Sequence, residues 1–467
     1  MALPSYAPRR RTALVLCGTG TAGAYHAGVL RALTEAGVKI DVIAAQGAGT
    51  VGALTGAVDA GSAFWGDDGP WTASTLPAYR WRRSLRLGAA GLAVAGVLVL
   101  SPLVVLVGAA VVYLLGVVTS LAGFPDTAMR LTELYSQTMA ALFDPPLLPT
   151  TMPRLVVLAL LLVMGTLGVA AWQARRSRRT RRRTQGAIWW HLLGQPLDPA
   201  EPEGLARRVL QGLTQASARA GGTPRELGVR YAELLAENFG QPGFREVLLA
   251  VHDVDSRRDV VVGAVAPAWQ AAFASRRVGA GPREAEAIEV AAGGDGERGL
   301  LADALLASLR VPVASAPLEV ELPANGYWRG EVHRWCDRPE LVTRLVDELA
   351  RIGVEQLVLV TPAPPATLPH DLRSRAGDLR DRMGEGLRSI ETAAFQEAWS
   401  AAASRFSGVF AIRPDHNPIG PFAFGGAYDE SSDRMRSLSE LVRQGHADAY
   451  TQFIEPVVAA GEEVAGL

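Results

Sequence analysis

Thr12-Ala13-Leu14-Val15-Leu16-Cys17-Gly18-Thr19-Gly20-Thr21-Ala22-Gly23 is a short aliphatic run that breaks into glycines. Ala24 to Ala36 then places apolar residues at helical spacing until Gly37 stops it, so the segment reads as a strand, a tight turn and a helix. Gly18, Gly20 and Gly23 satisfy GxGxxG, a spacing that lets backbone N–H groups at a helix start approach an anion or an oxyanion.

A second unit of the same kind follows at once. Asp41 to Ala45 reads as a strand, Gln46-Gly47-Ala48-Gly49 as a small-residue turn, and Thr50 to Leu54 as the start of a helix. A sharp strand-to-helix turn of this kind holds one side chain out for chemistry, as in a nucleophile elbow. The competing reading of the glycines is a dinucleotide site, which asks for an acidic residue about 20 positions on, closing the next strand, to hold a ribose hydroxyl. Asp41 has the count but opens its strand. A dinucleotide-binding oxidoreductase therefore stands as an alternative.

The rest of the chain bounds the possibilities. Its 467 residues, 49% hydrophobic and 20% charged, allow two or three domains and exclude disordered and coiled-coil classes. A net charge of -1 gives no electrostatic case for nucleic acid as a partner. Cys17 and Cys336 are too few and too far apart for a disulfide framework, a zinc cage or a CxxC redox pair. His252 and His333 show no metal spacing, and neither a cofactor nor a metal is expected.

From Leu87 to Phe124 there is no charged residue, and a second uncharged stretch runs from Leu155 to Ala174. Each reaches the roughly 20 residues a helix needs to cross the hydrocarbon of a bilayer. Arg80, Arg82, Arg83 and Arg86 precede the first stretch; Arg175, Arg176, Arg178, Arg179, Arg181, Arg182 and Arg183 follow the second. Positive-inside bias places both flanks in the cytoplasm. The expectation is an integral membrane protein with two spans, about 90–120 and 155–174, and cytoplasmic N- and C-terminal parts. The Arg clusters would meet anionic lipid headgroups.

Gly18 to Gly23, the following Gly23-Ala24-Tyr25-His26-Ala27-Gly28-Val29-Leu30 and the elbow together resemble the patatin-like phospholipases, lipid acyl hydrolases. In that family the glycine loop supplies an oxyanion hole, GxSxG carries a nucleophilic serine, and an aspartate of Asp-Gly-Gly or Asp-Gly-Ala serves as its base. The resemblance makes Gly18, Gly20, Thr21 and Gly23 the oxyanion loop. Without gaps, GxSxG falls on Ala45-Gln46-Gly47-Ala48-Gly49, which leaves Gly47 at the serine position. Sliding by three residues offers Thr50 as a substitute nucleophile. Further on, the strand Leu318 to Leu322 leads to Ala324-Asn325-Gly326, which puts Asn325 at the base position, and an amide cannot accept the nucleophile's proton.

The resemblance implies a patatin-like three-layer α/β domain with a mostly parallel sheet, split by a membrane hairpin. Its first part is 10–65 and its second 241–365, with the hairpin at 87–174, an Arg-rich helical linker at 175–240 and a helical extension with one strand at 366–467. Trp189, Trp190 and His191 would belong to an amphipathic helix, Gly279 to Gly299 to a mobile loop, and His416 and Asp429 to a glycine-rich loop bordering the site. The function implied is lipid metabolism or binding of membrane phospholipid or another acyl lipid by a member impaired in catalysis. An active acyl hydrolase using Thr50 is the alternative within the family.

Overall fold

By its internal contacts the chain divides into two units, Met1–Arg80 with Leu197–Leu467, and Trp81–Pro196. The computed structural model describes residues 6–58, 64–66, 69–71, 79–142, 151–176, 195–214, 222–274, 283–365, 379–415, 419–422, 424, 426–429, 432 and 434–459. Expectations resting on Trp189, Trp190, His191, His416 and the run Arg178 to Arg183 lie outside the described residues.

The chain opens with β1 (Thr12–Leu16), α1 (Ala22–Glu35), β2 (Val42–Ala45) and α2 (Gly49–Ala57). Three helices of the second unit come next: α3 (Arg83–Leu121), α4 (Pro125–Leu142) and α5 (Thr151–Arg176). The first unit resumes with α6 (Ala200–Leu213), α7 (Pro224–Asn238), β3 (Glu246–Asp253), β4 (Arg258–Ala264), α8 (Pro267–Ala274) and β5 (Ala287–Glu289). It continues through α9 (Leu300–Ser308), β6 (Leu318–Glu321), β7 (Val332–Cys336), α10 (Leu341–Arg351), β8 (Gln356–Val360) and α11 (Leu379–Ala403). β9 (Gly408–Ile412), the small hairpin β10 (Ala427–Asp429) and β11 (Arg434–Arg436), α12 (Leu438–Ala449) and a π-helical segment Tyr450–Ala459 follow.

Strands β5-β4-β3-β2-β1-β8-β9 form one sheet in that order, with β7 bonded to the end of β3 and β6 to β7. β1 runs parallel to both β2 and β8, and β2–β3, β8–β9 and β4–β5 are parallel as well. The pairs β3–β4, β3–β7 and β6–β7 are antiparallel. A strand buried on both faces needs apolar residues at every position, and β1 and β2 are buried throughout. Alternate residues of β1 face opposite layers. Ala13 and Val15 pack with Leu345 and Leu349 of α10 and Phe395 of α11, whereas Leu16 and Ile43 lie against Gly52 and Gly56 of α2. The expected α/β architecture with a mostly parallel sheet between helical layers is the one found.

Local signals explain the outer elements. α7 starts at a capping box, with Thr223 accepting from the Glu226 N–H and Glu226 reaching back to the Thr223 N–H. Leu341, Val342, Leu345, Val346 and Leu349 recur at i, i+3 and i+4 on α10 and bury that face. Two segments differ from expectation. α6 and α7 belong to the α/β unit rather than to a linker: Leu205, Leu210 and Tyr231 are buried, and the Tyr231 hydroxyl donates to the Leu54 carbonyl at 2.6 Å. Within the stretch expected as a mobile loop, β5 closes one edge of the sheet through Ala287 and Ile288.

In the second unit, α3 is one continuous helix of 39 residues. Two of its stretches, Arg83–Ser101 and Leu103–Leu121, are long and apolar enough to cross a membrane, while the apolar part of α5, Pro153–Val169, is shorter. α5 packs along the first half of α3, where a Cβ on Gly91 would come 2.7 Å from Val163. α4 packs along the second half, where a Cβ on Gly108 would come 2.9 Å from the Tyr135 hydroxyl. The segment between the two expected spans holds a full amphipathic helix, with Asp126, Arg130 and Glu133 among its polar residues.

Candidate active site

In an open α/β sheet, ligand chemistry gathers at the carboxyl ends of the strands where the strand order reverses. Here that place is β1, flanked by β2 on one side and by β8 on the other. The turns after β1 and β2 meet there. Gly18, Gly20 and Gly47 all have positive φ, +131°, +65° and +56°, a region open to glycine and costly for other residues. Gly47 therefore holds a left-handed backbone conformation at the strand-to-helix turn after β2, with no side chain to present.

The two turns are closed on each other. The Ala48 N–H donates to the Gly18 carbonyl at 2.9 Å, and the Gln46 N–H to the Leu16 carbonyl at 3.2 Å. An oxyanion hole needs the N–H after the nucleophile free to receive a developing charge. At Ala48 that donor is spent on the glycine loop itself. A Cβ on Gly47 would overlap the Gly18 carbonyl oxygen.

A carboxylate does stand beside the elbow. It is that of Asp337, not of any residue near Asn325. A Cβ on Gly47 would come 2.9 Å from Asp337 Oδ2. Asn325 lies exposed in the turn between β6 and β7. The physical reason is one strand of register in the topology. The resemblance has the strand Leu318 to Leu322 lead to the base position at Asn325, whereas the chain turns at Pro323 to Gly330 and returns as β7, and the carboxyl beside Gly47 is that of Asp337, just past its far end. Along β7 the buried positions alternate as His333, Trp335 and Asp337, so the carboxyl continues the inward face of that strand. Gln46 fixes the turn after it by donating from Nε2 to the Pro339 carbonyl at 2.9 Å.

A second acid, Glu391 of α11, completes the arrangement. Thr19 donates its hydroxyl to Asp337 Oδ2 at 3.0 Å and its N–H to Glu391 Oε1 at 2.9 Å. Burial pushes the Asp337 carboxyl up to about 8 against the pull of the Thr19 hydrogen bond, and the nearby Glu391 charge adds to the rise. Burial pushes Glu391 up to about 7. Neither acid was singled out by the sequence. Asp337 lacks the glycines that would have marked it, being followed by Arg338 and Pro339, and Glu391 sits in an unremarkable helix.

Thr50 is fully buried, and its hydroxyl donates to the Gly47 carbonyl at 2.8 Å, a local helix-start bond. Gly20 lies beneath the Pro421 carbonyl, where a Cβ would overlap it, and Gly23 lies beneath the Trp71 ring. Thr21 Oγ1 is buried without a hydrogen-bond partner among the described residues. His26 Nε2 contacts the Cys17 carbonyl at 3.0 Å, and burial lowers its pKa to about 4, so the ring is neutral and structural. Asp429 is bonded to Arg436 and Ser432 in the β10–β11 hairpin. Asp41 accepts the Thr12 N–H at 2.9 Å, at the end of β1 opposite the glycine loop. That is the wrong end for a ribose hydroxyl. Elsewhere, an apolar cavity of about 20 Å³ lined by Leu14, Leu30, Ile43, Trp65 and Arg245 among others has room for about one water molecule and stands apart from this chemistry. Among the described residues no group of three or more His, Cys, Asp or Glu side chains is placed to hold a metal.

No protein-family model matches the chain, and none of the curated proteins matches it. Among solved structures the chain is similar to the crystal structure of VipD from Legionella pneumophila, at 12% identity and a TM-score of 0.30, over 96% of this chain and 67% of that one. A likeness of that size bears no weight for activity or for the roles of residues.

Proposed function

We propose that this is a membrane-anchored protein of patatin-like ancestry whose hydrolytic centre is closed and lacks its nucleophile, and which acts by binding acyl lipid or a membrane partner rather than by turnover. The observation that carries the reading is the elbow itself. A buried carboxyl, Asp337, lies beside Gly47, the position that the resemblance gives to the nucleophile and that has no side chain. The spent Ala48 N–H supports it, because a hole already filled by the Gly18 carbonyl cannot stabilise an oxyanion. Anchoring is supported by the apolar length of α3 and the arginines at its start, of which Arg80 pairs with Glu201 at 3.5 Å. Arg82, Arg83 and Arg86 are then suited to anionic headgroups.

Hydrolysis of phospholipid and of a short-chain ester by the full chain in micelles tests this reading. The parent is expected to show no turnover above buffer, and Thr50→Ala to change nothing. Turnover by the parent that Thr50→Ala abolishes would overturn the proposal in favour of an acyl hydrolase with an atypical nucleophile.

A further inference from the structure

Thr19, in the middle of the glycine loop, is held from two sides by acids that come from elements far apart in sequence. Asp337 follows β7 and takes its hydroxyl; Glu391 lies in α11 and takes its N–H. Both carboxyls are buried, and among the described residues no ion pair reaches either of them. Two like charges this close to one threonine, with no bonded counter-ion, are tolerated only if at least one stays protonated.

The surrounding groups do not change this. Cys17 of the glycine loop and Tyr79 lie near the acids, and Cys336 precedes Asp337 on the other face of β7; burial raises the pKa of each above its ordinary value, so they are neutral around pH 7. Arg338 adjoins Asp337 through the chain, but its guanidinium lies with Asp259 at 3.4 Å and Glu340 at 3.3 Å. Arg388, on the same helix as Glu391, is the cation that acts on that acid, from a half-exposed position.

We propose that Asp337, Thr19 and Glu391 form a protonation-operated lock on the glycine loop. While a carboxyl keeps its proton, Thr19 bridges the two acids and the loop stays down on the elbow. Once both are ionised, two buried carboxylates that repel each other and lack hydration outweigh the bonds Thr19 donates to them, so the loop lifts to let water reach both, and the Gly18 carbonyl leaves the Ala48 N–H. The inference rests on the reading that the site is closed. Its sign follows from linkage: both folded values, about 8 and about 7, lie above the ordinary carboxylate range. The closed state therefore holds protons that the opened state gives up. Its stability falls as pH rises from about 4 to about 8 and then levels off.

Hydrogen exchange on the full chain in lipid nanodiscs, corrected for the intrinsic pH dependence of exchange, is the test. Peptides covering residues 12–25 and 42–54 are expected to lose protection at least about tenfold between about pH 6 and about pH 9 in the parent. The Asp337→Asn, Glu391→Gln variant is expected to be equally protected at both. Unchanged protection in the parent, or an undiminished loss in the variant, overturns the lock. Should the variant not fold, the infrared carbonyl band of a protonated buried acid in the parent decides instead: it must be present at about pH 6 and gone at about pH 9, and its absence at the lower pH overturns the proposal. Ester turnover by the parent at neutral pH would overturn the closed-site reading, whereas pH-independent protection would overturn the lock alone.

Discussion

Gly47 combines two constraints that a substitution separates. Its φ of +56° strains any L side chain, and its missing Cβ leaves room for the Gly18 carbonyl. Gly37, at φ +65°, carries the first constraint without the second, since nothing lies within 4 Å of its Cβ position. Gly37→Ala is therefore expected to cost about 1–2 kcal/mol, the left-handed penalty alone. Gly47→Ala should cost about 3 kcal/mol or more, because backbone must also move. Thermal unfolding of the two variants in one detergent checks this, and equal losses would mean that the glycine loop does not rest on the elbow. At this scale the sequence was half legible. Gly47 could be found because strand, small-residue turn and helix are contiguous. Asp337 could not, because the acid reaches the elbow through an antiparallel return whose length no local pattern reports.

Elements hold the site shut as much as single residues do. α1, which starts at the glycine loop, crosses α12 at two glycines: a Cβ on Gly28 would overlap the Val442 carbonyl, and one on Gly445 the Tyr25 carbonyl. Tyr25 donates its hydroxyl to Asp448 of α12 at 2.8 Å. Backbones in contact leave no space to absorb a side chain, so Gly445→Val is expected to destabilise the α/β unit by about 3 kcal/mol or more. It should also make α12 accessible to limited proteolysis while leaving the 39-residue helix α3 intact. Cleavage at the parental rate would contradict the close crossing. The helices and parallel strands of this unit were legible because their apolar periods are clean. β7 was not: Val332-His333-Arg334-Trp335-Cys336 buries a histidine, which Asp253 satisfies through His333 Nδ1 at 2.5 Å. A buried polar residue with its partner 80 positions away disguises a strand as a loop.

On the proposed anchoring, the whole-molecule question is how much of α3 the bilayer would take up. A helix of 39 residues is about 58 Å long at 1.5 Å per residue. About 30 Å of hydrocarbon, even at a tilt of about 40°, accommodates about 39 Å of it. At least about 13 residues must then lie outside the hydrocarbon. The partners of α3 say which. Its first half packs with α5, whose Pro153–Val169 stretch is apolar, and its second half with α4, which carries Asp126, Arg130 and Glu133. Burying those charges in hydrocarbon costs several kcal/mol, so the pair formed by the first half of α3 and α5 is the expected crossing. On that crossing the start of α3 and the end of α5 would share one face, the arrangement expected from the positive-inside bias. Cysteine placed at Gly96, which has open space around its Cβ, should resist a membrane-impermeant maleimide in intact vesicles. Cysteine at Leu121, 84% exposed, should react from the side opposite the arginines. The reverse pattern would put the second half of α3 in the bilayer and α4 with it, and the two-span topology would have to be given up.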